Sequence, residues 1–152
     1  MPIDISQPIN AAVSTEPRFI GSGHTLVFQF NAPVSLPATA SVDPPGVGTA
    51  SVAAANGNLL SVMLNGVADN QRATVTLMGV NGSMASFAVS LGFLVGDING
   101  TRAVNATDIG GIKARSGQSV DVTNFRLDLN TSGGINATDI LAAKARSGLV
   151  LP

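Results

Sequence analysis

The sequence predicts a mainly β protein with a small α part: a β-sandwich over residues 1–92 and, over 93–152, two oxygen-rich loops that each run into a short helix. Three observations predict it. Short runs of period-two alternation fill the chain before Gly92, the alternation stops after it, and one stretch is written twice, as GDINGTRAVNATD at 96–108 and LDLNTSGGINATD at 127–139.

In the first part, Leu26, Phe28 and Phe30, then Leu60, Val62 and Leu64, then Ala73, Val75 and Leu77, then Phe87, Val89 and Leu91 alternate with polar or small residues. Successive side chains of a strand point to opposite faces, so each run reads as a half-buried strand. Between the runs stand Pro44-Pro45-Gly46, Asn56-Gly57, Asn65-Gly66 and Asn81-Gly82; the Asn-Gly pairs accept the positive φ that tight hairpins need. Many short strands separated by such turns predict an all-β sandwich. The first 17 residues carry Pro2, Pro8 and Pro17 and only the brief alternation Ile3-Asp4-Ile5. A seven-strand sandwich would then be one strand short, with an edge filled either by the chain's own Ile3–Ser6 or by that segment from a neighbouring molecule.

Composition narrows the function. Of 152 residues 45% are hydrophobic and 11% charged, enough apolar material for a core. The formal net charge is −1 and no run of Lys or Arg occurs, which argues against a nucleic-acid or anionic-membrane surface. No apolar stretch reaches the length of a membrane span. There is no Cys, so neither disulfides nor a thiolate metal site are available. Residues 1–20 carry no basic and apolar leader pattern, which leaves a removed signal peptide or a longer precursor as the two explanations. No paired nucleophile and base, acid pair, phosphate loop or cofactor fingerprint is visible; the sole His, His24, reads as a strand-edge residue. The chain is read as non-enzymatic.

The repeated stretch carries the chemistry. With Asp97 as position 1, oxygen-bearing side chains fall at 1 (Asp97), 3 (Asn99), 5 (Thr101), 9 (Asn105) and 12 (Asp108), and the second copy repeats them as Asp128, Asn130, Ser132, Asn136 and Asp139. These are the offsets at which a twelve-residue EF-hand-type loop wraps calcium, a hard cation that accepts six to eight oxygens. The carbonyl at position 7, from Ala103 or Gly134, adds another donor. Position 8 is Val104 or Ile135, expected to pack one loop against the other. Two calcium ions are expected.

Each loop leads into a helix start. Asn105-Ala106-Thr107-Asp108 and Asn136-Ala137-Thr138-Asp139 place an N-cap Asn three residues before an acid, and each helix closes with Lys, Arg and then Gly117 or Gly148. Lys113, Arg115, Lys144 and Arg146 either offset the helix dipoles or, being identically placed in both copies, form a two-fold-like contact surface. Ile109, Ile112, Ile140, Ala143 and Phe125 are the expected core, with Gly110-Gly111 permitting close approach of a neighbouring backbone. The helix that enters a full EF-hand is missing, since strand-like SFAVSLGFLV and then VTNFRL precede the loops.

A loop and exiting helix without the entering helix, duplicated at a spacing of 31 residues from Asp97 to Asp128, resembles the type I dockerin module. GDINGTRAVNATDI and LDLNTSGGINATDI, followed by KARSG in both copies, carry the resemblance over residues 96–148. It implies a small two-helix domain folded by calcium, extracellular or at the cell surface, whose helical faces bind a cohesin partner. HTLVFQFNAPVS and VADNQRATVTLMGV resemble the immunoglobulin-like units that precede such modules in secreted bacterial proteins.

The first loop departs from the dockerin pattern at Thr101, where an Asp is usual, and at Arg102, where the backbone turn favours Gly; the second keeps Gly133 but has Ser132. With two carboxylates per loop, dissociation constants on the order of 10⁻⁴ to 10⁻³ M are expected, tighter in the second loop. Asn81, Asn99, Asn105, Asn130 and Asn136 fit the glycosylation sequon, but four of them are proposed ligands. Two functions stay open: a binding module for a cohesin-like protein, or a self-assembling subunit of an extracellular filament or surface layer braced by calcium.

Overall fold

The computed structural model describes residues 13–19, Gly21 and 23–152. In chain order it contains β1 (Ser14–Glu16), β2 (His24–Gln29), β3 (Thr39–Asp43), β4 (Thr49–Asn56), β5 (Leu59–Asn65), β6 (Gln71–Met78), β7 (Phe87–Phe93), α1 (Ala106–Ala114) and α2 (Ala137–Lys144). Single 3-10 turns lie at Val80–Gly82 and Phe125–Leu127. The protein is thus mainly β with two short helices, as its alternation and repeat predict. Ile3–Ser6, the segment expected to fill a sheet edge, lies outside the described residues.

The strands form two sheets, ordered β2-β5-β4 and β1-β7-β6-β3. All pairings with a defined register are antiparallel except β1 on β7, where Ser14, Thr15 and Glu16 run parallel to Leu91, Gly92 and Phe93. His24 opens β2, an edge strand, opposite Leu64. The Asn56-Gly57 signal makes the β4–β5 hairpin, with Asn56 paired to Leu59 and Gly57 at φ 58. Asn81-Gly82 instead forms the 3-10 turn, where both residues take positive φ and the Asn81 amide oxygen accepts from the backbone N–H of Ser35.

Two compact units divide the chain. One is Ser22–Ala68 with Ala73–Ser90. In it Leu60, Val62, Leu64, Ala73, Val75 and Leu77 are buried, the inward sets of β5 and β6 that period-two alternation marks. β3 and β4 escaped that reading. Their sequences TASVD and TASVAAAN alternate Ala and Val with Ser, Thr and more Ala, so the inward residues are only half-buried and the contrast between faces is weak.

The other unit joins Leu91–Pro152 to Asp69–Arg72 and to the described residues before position 22. Its main core is Val95, Ile112, Leu129, Ile135 and Ala143, with Ile98, Ile109, Val120, Leu127, Ile140 and Ala142 packed around it. Ile112 and Ala143 are where the helical spacing puts them, and Ile109 and Ile140 flank them. Phe125 is a correction: it stands half-buried on its 3-10 turn, outside this cluster, with the Arg18 guanidinium 5.1 Å from its ring centre. Leu129 and Val95, which carry no helical periodicity, occupy the centre instead. A second cluster joins Val13, Leu94, Val104 and Leu151.

Glycine is required where the backbones close up. Gly96 has φ 100, and a Cβ there would lie 3.2 Å from the Ala143 Cα, while its N–H donates to the Pro17 carbonyl at 3.0 Å. Gly96→Ala therefore combines a strained φ with a backbone clash and is expected to destabilise this unit by about 1–3 kcal/mol, measured as a shift of the denaturant midpoint. Against expectation, no backbone of the described residues closes on Gly110-Gly111: a Cβ on Gly111 would meet the side-chain Cδ1 of Ile98 at 2.7 Å, and Gly110 faces open space.

Candidate metal centre

Two loops, 97–108 and 128–139, fold to the same pattern. Both place positions 4 and 6 in the left-handed region, as Gly100 (φ 74) and Arg102 (φ 66) in the first and Thr131 (φ 56) and Gly133 (φ 90) in the second. The turn chirality is therefore fixed by the loop and not by where glycine happens to be written. Each loop carries one strained non-glycine residue. Thr131 is the costlier kind, because a β-branched side chain crowds the backbone at positive φ. Sequence spacing exposed Arg102 but not Thr131. Thr131→Gly is expected to raise stability in saturating calcium by about 1 kcal/mol, read from chemical denaturation.

The four carboxylates are the buried heart of the site. Asp97, Asp108 and Asp139 have no exposed surface and Asp128 has 4%. Asp97 Oδ1 and Oδ2 accept from the N–H groups of Thr101 (3.0 Å) and Arg102 (2.9 Å). Asp128 does the same with Ser132 (3.0 Å) and Gly133 (2.8 Å). At position 12, Asp108 Oδ1 takes the N–H of Ile98 (3.1 Å) and Oδ2 that of Asn105 (3.0 Å). Asp139 repeats this with Leu129 and Asn136, both 2.9 Å. Position 12 thus closes the loop onto itself and completes a capping box, with Asn105 Oδ1 and Asn136 Oδ1 on the N–H groups of Thr107 and Thr138. The ion pairs Arg18–Glu16 and Arg146–Asp69 lie elsewhere. Burying two carboxylates per loop costs free energy unless positive charge joins them.

Oxygens from positions 1, 3, 5 and 7 converge at the loop mouths. Asn99 Oδ1 lies 2.7 Å from Thr101 Oγ1, which lies 3.4 Å from the Ala103 carbonyl oxygen. In the second loop Ser132 Oγ lies 3.4 Å from Asp128 Oδ1 and 3.3 Å from the Gly134 carbonyl oxygen, and Asn130 Oδ1 accepts the Ser132 N–H at 3.1 Å. Two oxygens each about 2.4 Å from one ion and about 70–90° apart would be separated by roughly 2.8–3.4 Å. The spacing matches such a cage. Asn99, Thr101, Asn130 and Ser132 are exposed, so the mouths open to solvent while the acids stay inside. No group of three or more His, Cys, Asp or Glu forms among the described residues. The donor set is two acids per loop with amide, hydroxyl and carbonyl oxygens, a hard-oxygen set suited to calcium. Asn105 and Asn136 use their Oδ1 atoms for helix capping, at the position where a calcium loop often coordinates through water.

The apolar residues at position 8 do not pack on each other as expected. Val104 sits in the cluster with Leu94 and Leu151, and Ile135 in the cluster with Ile112. Each loop instead pairs with the chain that follows the other helix. Val104 N–H donates to Leu149 O (2.9 Å) and Val104 O accepts from Gly148 N–H (2.8 Å); Ile135 N–H donates to Gln118 O (2.9 Å) and Ile135 O accepts from Gly117 N–H (2.7 Å). A crossed, two-fold-like pair results, with Gly117 and Gly148 at φ 91 and 90 in the turns that follow the two helices.

The basic residues break that symmetry. Lys113, Arg115 and Lys144 are exposed, but Arg146 is half-buried, paired with Asp69 and donating to the Ala142 carbonyl at 3.2 Å. Asp69 also accepts the Val95 N–H at 2.8 Å. Arg126, invisible to loop spacing, has its guanidinium on main-chain oxygens: Ile98 (3.0 Å), Asp97 (3.3 Å) and Thr15 (3.0 Å). Burial lowers its pKa from the ordinary arginine value, partly opposed by Glu16 and Asp97.

Among the described residues no helix is long and apolar enough to cross a membrane. Residues 95–146 match the family model of the dockerin type I domain, about a third of the 152-residue chain. No curated protein matches the chain.

Proposed function

We propose that the second part of the chain is a calcium-dependent, non-catalytic protein-interaction module that engages a cohesin-like partner outside the cell. The observation that carries this reading is the duplicated loop: each buries acids at positions 1 and 12, and the position-5 hydroxyl oxygen stands 2.7 Å from position 3 and 3.4 Å from position 7 in the first loop, and 3.4 Å from position 1 and 3.3 Å from position 7 in the second. The dockerin match over the same residues supports it. Asp97, Asn99, Thr101, Ala103, Asn105 and Asp108 would hold one ion, and Asp128, Asn130, Ser132, Gly134, Asn136 and Asp139 a second. Bound calcium would bring positive charge to the buried carboxylates. The residues themselves fix the helix starts, because Asp108 and Asp139 join each loop's main chain to the first turn of α1 or α2. The exposed helix faces then present Thr107, Lys113, Thr138 and Lys144 in a defined array. In this reading residues 93–152 supply the module and 1–92 an immunoglobulin-like neighbour.

Capture of the full chain on an immobilised cohesin domain tests it. Binding in millimolar calcium that disappears with chelator is expected, and equal capture in both conditions, or none in either, counts against it. The filament reading draws no support from the described residues, and its donor segment Ile3–Ser6 lies outside them.

A further inference from the structure

We propose that Arg126 is a strut that ties the two loops to each other and to β1, so that an ion in one loop raises the affinity of the other and seats residues 15–19. This rests on the calcium reading above. Arg126 stands two residues before Asp128, on the turn that feeds the second loop, yet its guanidinium holds the carbonyls of Asp97 and Ile98, positions 1 and 2 of the first loop. The Ile98 residue is gripped on both sides: its N–H goes to Asp108 and its carbonyl to Arg126. Its counterpart Leu129 is gripped in the same way, N–H to Asp139 and carbonyl to the N–H of Phe19 at 2.7 Å.

The two outside donors are themselves joined. Arg126 Nη2 also donates to Thr15 O, four residues before Phe19. Between them Glu16 O accepts Leu94 N–H (3.2 Å), Pro17 O accepts Gly96 N–H (3.0 Å), and Arg18, bonded to Glu16, covers the ring of Phe125 next to Arg126. A planar guanidinium offers five donors in a fixed fork, so it can hold three carbonyls in one arrangement in a way a lysine cannot. The position-2 residues in turn orient the acids at positions 1 and 12. Displacing one loop therefore moves the other through Arg126 and the 15–19 segment. Partners of this outer kind commonly change metal affinity 10–100-fold when removed.

Calorimetric titration of the chelator-stripped full chain with calcium chloride, with amide exchange of Phe19, Leu94 and Gly96 followed in parallel, tests the proposal. Expected for the native chain are a cooperative isotherm and calcium-dependent protection of all three amides. Arg126→Met should lower the affinity roughly tenfold or more, abolish the cooperativity and leave Phe19 unprotected while both ions still bind at high calcium. Native-like affinities and protection in that variant would overturn the strut. Should Arg126→Met fail to fold in excess calcium, Arg126→Gln replaces it, and a native isotherm with Gln overturns the proposal equally. A native chain that gives no heat and no protection with calcium removes the calcium reading itself, and the strut with it.

Discussion

Asp128→Asn is expected to reverse the sign of its effect on stability between calcium and chelator. Asp128 is nearly fully buried, accepts from Ser132 and Gly133, and neighbours Leu129, whose N–H bonds the second acid, Asp139. With calcium present, the substitution removes a charged ligand, and because loop and site form together, lost binding energy is lost folding energy. With calcium removed, the same substitution relieves repulsion between two buried like charges, and the amide oxygen still accepts one N–H. The variant should therefore melt below the native chain in millimolar calcium and at or above it in chelator. Asp128→Ala lacks that compensation. It leaves the Gly133 N–H without its acceptor, at about 1–3 kcal/mol where buried, while the Ser132 N–H keeps Asn130 Oδ1, and it should be destabilised in both conditions. Parallel thermal melts of the three proteins give the answer, and an Asp128→Asn penalty of equal size with and without calcium would mean the acid acts only through hydrogen bonds.

Ile112→Ala is the core substitution with the largest expected cost, about 2–5 kcal/mol. Ile112 is fully buried between Val95, Leu129, Ile135 and Ala143, residues contributed by the segment after β7, the second loop and α2. A small unit has little stability to spare, so a cavity there should abolish its cooperative transition at low calcium and leave it dependent on high calcium. The counterpart position in the second helix is already alanine, Ala143, whose Cα lies against Gly96. The two helices are thus alike at their starts and complementary where they pack. Urea denaturation across a calcium series measures this; a midpoint unchanged at all concentrations would place the unit's core elsewhere.

The offsets of the loops, the capping boxes at Asn105 and Asn136 and the terminal glycines were legible because short-range geometry demands particular residue types at fixed spacings. The four central runs of strand residues were legible for the same reason. What stayed hidden depends on partners distant in sequence. Nothing near Arg126 marks it as a holder of Asp97 and Thr15, since what it meets on those two residues is a main-chain carbonyl that every residue possesses. The parallel pairing of β1 with β7 hides in a three-residue strand, STE, too short to alternate. The crossed pairing of Val104 with Leu149 and Ile135 with Gln118 requires knowing that each loop meets the other helix's exit. Thr131 illustrates a further limit, because its positive φ follows from the fold of the loop against its own preference.

Calorimetric titration of the chelator-stripped chain with calcium, paired with thermal melts at each calcium concentration, tests the central claim most directly. Two ions per chain are predicted, with dissociation constants on the order of 10⁻⁴ to 10⁻³ M. Stability of the C-terminal unit should rise with calcium, by about 2.7 kcal/mol per site at a hundredfold excess over the dissociation constant. Absence of binding heat together with a melting curve independent of calcium would contradict the account.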